Sequence, residues 1–145
     1  MKYDYKPFPL AEPDPVNKSP FVWRPVLKVV ILANHKRTPP IETLLDTGAD
    51  RTIFHAQIAR SLGIQIEKGI PYSLGGIASA VVMPGYIHKV RLLAAGESIE
   101  TSLVFADNFA VAGLLGQVGF FDHFVATFDW TPHPPCFDIQ RISRN

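Results

Sequence analysis

An acidic turn at the end of an apolar run is the first feature of this sequence that could do chemistry. Leu44 and Leu45 are followed directly by Asp46, Thr47 and Gly48. An apolar run that ends in an acid, a hydroxyl and a glycine is typical of a buried strand that turns sharply. The pattern therefore predicts that the Asp46 carboxylate is presented at the turn, where it could exchange a proton.

A second apolar pair, further along the chain, is a candidate for supporting this turn. Leu114 and Leu115 lie between Gly113 and Gly116 and lead into an apolar, helix-like segment. Such a segment could pack beneath the carboxylate. The run Asp-Thr-Gly-Ala-Asp at 46–50 and this hydrophobic-hydrophobic-Gly together resemble the two signatures of retropepsin-like aspartic proteases. The resemblance extends over residues 26–141.

The resemblance implies a mechanism that needs two acids. In aspartic proteases two carboxylates share one proton: the ionised one takes a proton from water, and the protonated one donates to the peptide carbonyl. Pepsins carry two copies of the acidic motif, whereas this chain has a single copy, at Asp46. The resemblance therefore implies a homodimer in which each subunit contributes one Asp46 across a two-fold axis. The implied activity is that of an aspartic endopeptidase acting on a peptide or an unfolded protein, with no metal or cofactor.

The same resemblance assigns roles to the neighbours of Asp46 and to a glycine-rich bend. Thr47, Gly48 and Ala49 would support the active-site loop, with Thr47 bonding across the dimer axis. The bend at 74–79 matches the flap that closes over bound peptide. The implied substrate-binding residues are Asp50, Gly75, Gly76, Ile77 and Leu115.

Two departures from the retroviral pattern concern the dimer. Retroviral enzymes usually place an arginine after the glycine of the second motif, where it anchors the dimer, and here that position is Gln117. Arg51 is a candidate to replace it. The chain after this motif is also longer and resembles the terminal hairpin of the retropepsin domains in cellular ubiquitin-shuttle proteins and bacterial single-domain homologues. Dimerisation would then use the hairpin at 124–142.

Composition sets the class of protein and excludes some partners. The chain has 145 residues, of which 47% are hydrophobic and 19% charged, which is typical of one soluble globular domain with a core of its own. Its net charge is +1 and it has no dense basic run, so nucleic acid is not expected as the main partner. The segment 1–6 lacks the apolar core of a signal peptide, and no apolar run is long enough to span a bilayer. We therefore expect a cytoplasmic protein with no membrane partner.

From Val26 onward the residue pattern is that of a β protein. Strands are expected at 26–32, 41–45, 52–54, 86–93 and 98–105, with hairpins at 72–83 and at 125–140. Short helices are expected at 55–62 and 117–124. The predicted fold is mostly β, a closed acid-protease (retropepsin-like) β-barrel with one or two short helices.

The first 25 residues differ from the rest of the chain. Prolines recur through this segment and disfavour both helices and paired strands, which indicates an extended arm or a loose tail. Phe8, Phe21 and Trp23 suggest that parts of the arm dock on a surface. The predicted organisation is a proline-rich N-terminal arm at 1–25 followed by a retropepsin-like domain at 26–145.

Other interpretations of these residues stay open at the level of sequence. A lone Asp-Thr-Gly also occurs by chance as a plain turn, Asp50 could merely cap the loop, and Gly75-Gly76 could be a tight turn. The histidines show no metal-ligand spacing, so no metal site is expected. The alternative function is a catalytically weak or inactive peptide-binding dimer of the same fold. A third possibility is an unrelated small β-barrel that scaffolds partners through its arm.

Overall fold

The structure is a computed structural model that describes residues 1–75 and 82–144. Its strands are β1 (Lys2–Asp4), β2 (Lys6–Pro9), β3 (Phe21–Arg24), β4 (Val26–Ala33), β5 (Lys36–Arg37), β6 (Ile41–Leu45), β7 (Ile53–His55), β8 (Ile70–Leu74), β9 (Met83–Ala94), β10 (Glu97–Ala106), β11 (Gly113–Leu115), β12 (Phe124–Asp129) and β13 (Cys136–Arg141). A helix, α1 (Ala56–Ser61), and a 3-10 turn (Ile66–Lys68) lie between β7 and β8. Within the described ranges, no helix has the length and apolar character needed to cross a membrane.

Six strands close into a barrel. Their order is β4-β6-β11-β7-β10-β9, and β9 pairs again with β4 through Val30, Ile31 and Leu32. β5 extends the sheet beside β4, and β8 extends it beside β9. Closure leaves the six strands without free edges, which removes the usual liability of an open sheet. The predicted fold class, a mostly β closed barrel with short helices, is confirmed.

The core of the barrel is built from the inward-facing residues of these strands. In β4, Leu27, Val29 and Ile31 are almost fully buried, whereas on the other face Lys28 is exposed and Val30 keeps 9% of its surface exposed. This alternation is what the two-residue period of a strand requires when one face meets the core. The largest fully buried side chains are Phe54, Phe105, Phe120, Phe124 and Phe137.

β11 is the short strand that positions the candidate site. It pairs in parallel with the end of β6 and antiparallel with β7, so that Leu115 lies opposite Leu45. A side-chain carbon on Gly113 would lie 2.6 Å from the Phe54 ring and 2.7 Å from the Thr43 methyl group, so this position requires glycine. The ends of β6 and β11 therefore emerge side by side, and the chain after each reaches the same end of the barrel.

The interpretation of residues 1–25 as an arm without paired strands is wrong. β1 pairs with β13, which also pairs with β12, and β2 and β3 form a hairpin. Tyr5 is only 7% exposed and its ring packs against Phe137 and Trp130. Prolines did not prevent pairing because β2 and β3 form a separate two-stranded ribbon, where every strand is an edge and a missing N–H is tolerated. The domain boundary at residue 25 stays a prediction.

The helix expected at 117–124 is also absent, and the segment is a series of turns. Gly119 lies at its centre with a φ of 103°, a value that is not helical. The Gly119 N–H donates to the Asp122 side chain at 3.0 Å, and the Thr101 hydroxyl donates to the Gly119 carbonyl at 3.0 Å. Neither bond belongs to the backbone pattern of a helix. Together they hold Gly119 in a conformation that a regular helix does not allow.

Candidate active site

Asp46 lies immediately after β6, on an exposed turn. Its backbone N–H donates to the Leu115 carbonyl at 2.9 Å, which continues the pairing of β6 with β11 by one residue. Its Oδ1 accepts a hydrogen bond from the Gly48 N–H at 2.9 Å, and the Ala49 N–H donates to its carbonyl at 3.1 Å. A carboxylate that bonds the backbone two residues later stabilises a tight turn. The structure thus presents the Asp46 carboxylate to solvent on a turn that restrains its position.

The turn is bonded along its length to the segment that follows β11. The N–H of Gln117 donates to the Ala49 carbonyl at 2.9 Å, and the N–H of Val118 donates to the Asp50 carbonyl at 3.0 Å. The N–H of Thr52 completes the ladder by donating to the Val118 carbonyl at 2.9 Å. These backbone bonds tie 46–52 to 115–118, so the two sequence motifs form one structural unit.

Gly116 allows the two segments to approach this closely. A side-chain carbon built on Gly116 would lie 2.4 Å from the Arg51 carbonyl oxygen and 2.8 Å from the Ala49 carbonyl oxygen. Both neighbours are backbone atoms that cannot rotate away. Any side chain at position 116 would therefore clash with these atoms, so the second motif requires a glycine here.

Two polar side chains support the turn without having been predicted to do so. The Thr52 hydroxyl is fully buried and accepts the Gly116 N–H at 3.1 Å. Gln117 donates from Nε2 to the Thr47 carbonyl at 3.1 Å. The available signal was a threonine next to the apolar run of β7 and a polar residue directly after the second motif. Neither pattern indicates a partner so far away in sequence.

A cleft of about 790 Å³ opens beside the turn. Gly48, Ala49 and Asp50 form its wall on the side of the turn, and β8 with its neighbouring residues forms another wall. Most of the remaining surface is apolar, and it is contributed by Ile53, Leu74, Val82, Met83, Phe109 and Leu114. The cleft can therefore accept apolar side chains that lie close to the Asp46 turn.

All the predicted site residues except Leu115 fall into three groups. Asp46, Thr47, Gly48 and Asp50 are exposed and Ala49 is half-buried, and all five lie on the turn itself. Gly75 borders the cleft. Gly76 and Ile77 lie outside the described residues.

Leu115 requires a correction. It was expected to contact substrate, but it is fully buried in the core. Leu114, its neighbour, is the residue of β11 that lines the cleft. Successive residues of a strand point to opposite sides, so only one member of the apolar pair can reach the cleft. Leu115 supports the turn from below through its carbonyl, which accepts the Asp46 N–H.

The Arg51 side chain lies against an aromatic ring of its own chain, and its role in a dimer stays a prediction. Its guanidinium carbon lies 5.0 Å from the centroid of the Tyr72 ring, and both residues line the cleft. Gln117, at the position of the retroviral arginine, donates from its side chain to the Thr47 carbonyl of the same chain.

Charged groups near the cleft also include an ion pair. Arg60 donates to both carboxylate oxygens of Asp107, at 2.8 and 2.9 Å. This bidentate hydrogen bond lowers the pKa of Asp107 below its ordinary value.

Across 1–75 and 82–144, no three His, Cys, Asp or Glu side chains are grouped so that they could hold a metal ion.

Comparisons with known proteins find similarity to solved structures. No protein-family model matches the chain, and no curated protein matches it in sequence. Among solved structures, the chain is similar to EIAV protease complexed with the inhibitor HBY-793, with 27% sequence identity. The match covers 72% of this chain and 86% of that chain, with a TM-score of 0.47.

The chemistry open to a single chain is limited, because Asp46 is its one Asp-Thr-Gly acid. A lone exposed carboxylate can accept a proton from water, but a second acid is needed to protonate the carbonyl oxygen at the same time. The turn exposes Asp46 to solvent, so a group supplied by another chain can reach it.

Proposed function

We propose that this protein is an aspartic endopeptidase that works as a homodimer, with one Asp46 from each subunit in a shared site. The observation that carries the proposal is the exposed Asp46 carboxylate on a turn bonded to β11 and bordering an apolar cleft. A restrained acid on a turn that borders a cleft for side chains supplies half of what peptide hydrolysis by two acids requires.

In the proposed reaction the two Asp46 side chains share one proton, because two negative charges at short distance cannot both persist. The ionised carboxylate removes a proton from water, and the water oxygen adds to the peptide carbonyl carbon. The protonated carboxyl gives its proton to the carbonyl oxygen in the same step. The tetrahedral intermediate then collapses: the C–N bond breaks, the nitrogen takes the proton that the dyad holds, and one hydroxyl of the intermediate returns its proton to the dyad. A carboxyl and an amine product leave, and the two Asp46 side chains again share one proton.

The cleft suggests how the substrate lies. An extended peptide can bond through its backbone to the turn and to β8, as an added strand does, while its side chains enter the apolar cleft. Asp50 lines the cleft and is exposed, so it is available to accept a hydrogen bond from the substrate main chain.

The sheet of β1, β13 and β12 supports the proposed dimer. β12 pairs only with β13 in the described part of the chain, so its other edge carries unpaired backbone groups. Val125 on this strand is 53% exposed, and Trp130 just after it is 61% exposed. An edge strand with exposed apolar residues is a surface on which a second chain can pair. This strand belongs to the hairpin that the sequence predicted for dimerisation.

A mixing experiment tests the shared site. Asp46→Asn removes the proton acceptor and keeps the size of the side chain. If equal amounts of wild-type and Asp46→Asn chains exchange subunits freely, about one quarter of the dimers contain two aspartates. We expect cleavage of an unfolded protein to fall to about one quarter of the all-wild-type rate at the same total chain concentration. Chains that acted singly would retain about one half of that rate.

The control is Glu97→Gln, which makes the same change from carboxylate to amide at an exposed residue far from the cleft lining. Mixing this variant with wild type should leave the rate unchanged. A pure Asp46→Asn preparation that cleaves as fast as wild type would refute the proposal. A wild-type protein that binds peptides as tightly as Asp46→Asn and cleaves none of them would instead be the peptide-binding dimer.

A further inference from the structure

We infer that the cleft contains a subsite for a carboxylate, formed by Arg51 over Tyr72, and that preferred substrates carry Asp or Glu near the cleaved bond. The inference rests on the proposed endopeptidase function and names a substrate class for the same cleft. It concerns a charge in a cleft that is otherwise mainly apolar.

The backbone of Arg51 is fixed. Arg51 forms a parallel bridge with Val118, and the residues on either side of it bond to the same partner. The Val118 N–H donates to the Asp50 carbonyl, and the Thr52 N–H donates to the Val118 carbonyl. The side chain therefore starts from a defined point, a few residues after Asp46.

The side chain of Arg51 is also oriented. Its guanidinium carbon lies 5.0 Å from the centroid of the Tyr72 ring, and both residues are half-buried. A guanidinium over an aromatic face keeps its N–H donors in its own plane, where they remain available to a carboxylate. Such a carboxylate can accept two parallel hydrogen bonds, which is the arrangement that favours arginine over lysine.

The charge of Arg51 is not neutralised within its own chain. In 1–75 and 82–144, no carboxylate lies within ion-pair distance of it, whereas Arg60 pairs with Asp107 and Arg91 with Glu100. Asp50 also lines the cleft, yet it forms no ion pair with Arg51. An unpaired guanidinium beside apolar walls attracts an anionic side chain more strongly than one in open water does.

The proposed two-fold axis doubles the subsite. Each subunit would contribute one Arg51, so an extended substrate would meet one guanidinium on either side of the cleaved bond. The apolar walls would receive the side chains between the two acidic positions. The expected substrate pattern is therefore an apolar centre with an acidic residue on one or both sides.

The test uses peptides that differ at single positions around one apolar cleavage site and carry Glu, Gln or Lys there. At the best position, we expect wild type to cleave the Glu peptide with a kcat/KM roughly tenfold above that of the Gln peptide, as for one charged hydrogen-bonded pair. The preference should shrink as salt is added. Arg51→Gln should abolish it, and Arg51→Glu should reverse it in favour of Lys.

The matched control is Arg37→Glu, which makes the same charge change on exposed β5, away from the cleft lining. It should keep the Glu preference. If Arg51→Glu does not fold, the test uses Arg51→Gln and Tyr72→Leu. The second variant removes the aromatic ring that supports the guanidinium. Thermal unfolding checks that each variant is folded.

The outcomes separate the inference from the function on which it rests. Cleavage with a Glu preference that Arg51→Gln removes supports the subsite. Cleavage with no acidic preference at any position, or with one that Arg51→Gln leaves intact, overturns the subsite and leaves the endopeptidase proposal standing. A wild-type protein that cleaves no peptide overturns both.

Discussion

At the scale of single residues, the candidate site depends on how closely two backbone segments approach. Gly116 has no side chain, so the carbonyls of Ala49 and Arg51 can lie where a side-chain carbon would otherwise be. The same contact allows the Thr52 hydroxyl to accept the Gly116 N–H in a fully buried position. The position of Asp46 is therefore set partly by a residue that does no chemistry.

Gly116→Ala tests this dependence. The added methyl would meet fixed backbone oxygens, so the turn must shift, and we expect a loss of about 1–3 kcal/mol in the free energy of unfolding. The displacement of Asp46 should lower kcat roughly a hundredfold. Urea unfolding and peptide cleavage measure the two effects. Gly75→Ala is the control for stability, because a side-chain carbon there would have no neighbour within 4 Å among residues 1–75 and 82–144. Equal unfolding free energies for both variants would show that the close approach is not required.

Sequence reasoning identified some of these residues and could not identify others. The abrupt change from Leu45 to Asp46 is a local signal, and it predicted the turn. Thr52 and Gln117 bond to partners 64 and 70 positions away. Bonds of this range depend on how β11 is inserted between β6 and β7, and no local pattern carries that information. Leu115 was assigned to substrate for a related reason, since the orientation of a short strand follows from its neighbours.

At the scale of elements, α1 shows how a short helix is held in place. It has six residues, too few to be stable alone in water, and its buried residues Ala56 and Ala59 pack against the barrel. Arg60 in its last turn pairs with Asp107, just after the end of β10. The ion pair thus connects the helix to the strand end that leads towards the cleft-lining residue Phe109.

The pH dependence of stability follows from this pair. The pKa of Asp107 is lowered in the folded protein, chiefly by the hydrogen bonds from Arg60. The folded state therefore favours the ionised carboxylate. Its stabilising effect is present above the ordinary pKa of 3.8 and is lost as pH falls through the folded value. We expect Asp107→Asn to lower Tm slightly at pH 7, because the pair is exposed, and to match wild type at the acidic end of the range.

Thermal unfolding of wild type and Asp107→Asn across a pH series measures this effect. Glu97→Gln, at an exposed residue that forms no ion pair in the described chain, is the control and should give the same small difference at every pH. Arg60→Gln combined with Asp107→Asn should add little to either single change, since both remove one interaction. A deficit that persists unchanged to the lowest pH would assign the effect to something other than the pair.

Strands with a strong apolar pattern were predicted correctly. Segments whose conformation depends on bonds or pairing with other parts of the chain were not. Alternating and continuous apolar runs predicted β4, β6, β10 and the closed barrel. The segment at 117–124 has a helix-like composition, yet Gly119 takes a non-helical φ, and its carbonyl accepts a bond from Thr101, 18 positions away. Its N–H bonds locally, to the Asp122 side chain. The prolines of β2 were interpreted as excluding pairing, but a separate hairpin tolerates them.

At the scale of the whole molecule, the two ends of the chain form one sheet. β1 and β12 lie on opposite sides of β13, and the aromatic residues of this sheet join the same core as the barrel. β13 is therefore covered on both edges, whereas β12 keeps one edge unpaired within the described residues. Pairing of a second copy at this edge would join two such sheets and bring two subunits into a fixed relation, as a shared site requires.

Val125→Lys tests whether this edge carries the proposed homodimer. Val125 is 53% exposed in the single chain, and a lysine there is the substitution by which natural edge strands avoid pairing. We expect the dissociation constant of the dimer to rise roughly tenfold or more, which corresponds to about 1.4 kcal/mol per factor of ten. Cleavage should be lost at low protein concentration and return towards the wild-type kcat at high concentration, because the Asp46 turn is untouched.

Sedimentation and activity, measured over the same concentration series, follow the two effects. Val16→Lys, at a residue 88% exposed in the loop between β2 and β3, is the matched control and should leave both curves unchanged. If Val125→Lys shifts neither curve, the subunits meet elsewhere; if sedimentation shows a monomer at concentrations where wild type is fully active, the shared site itself is excluded.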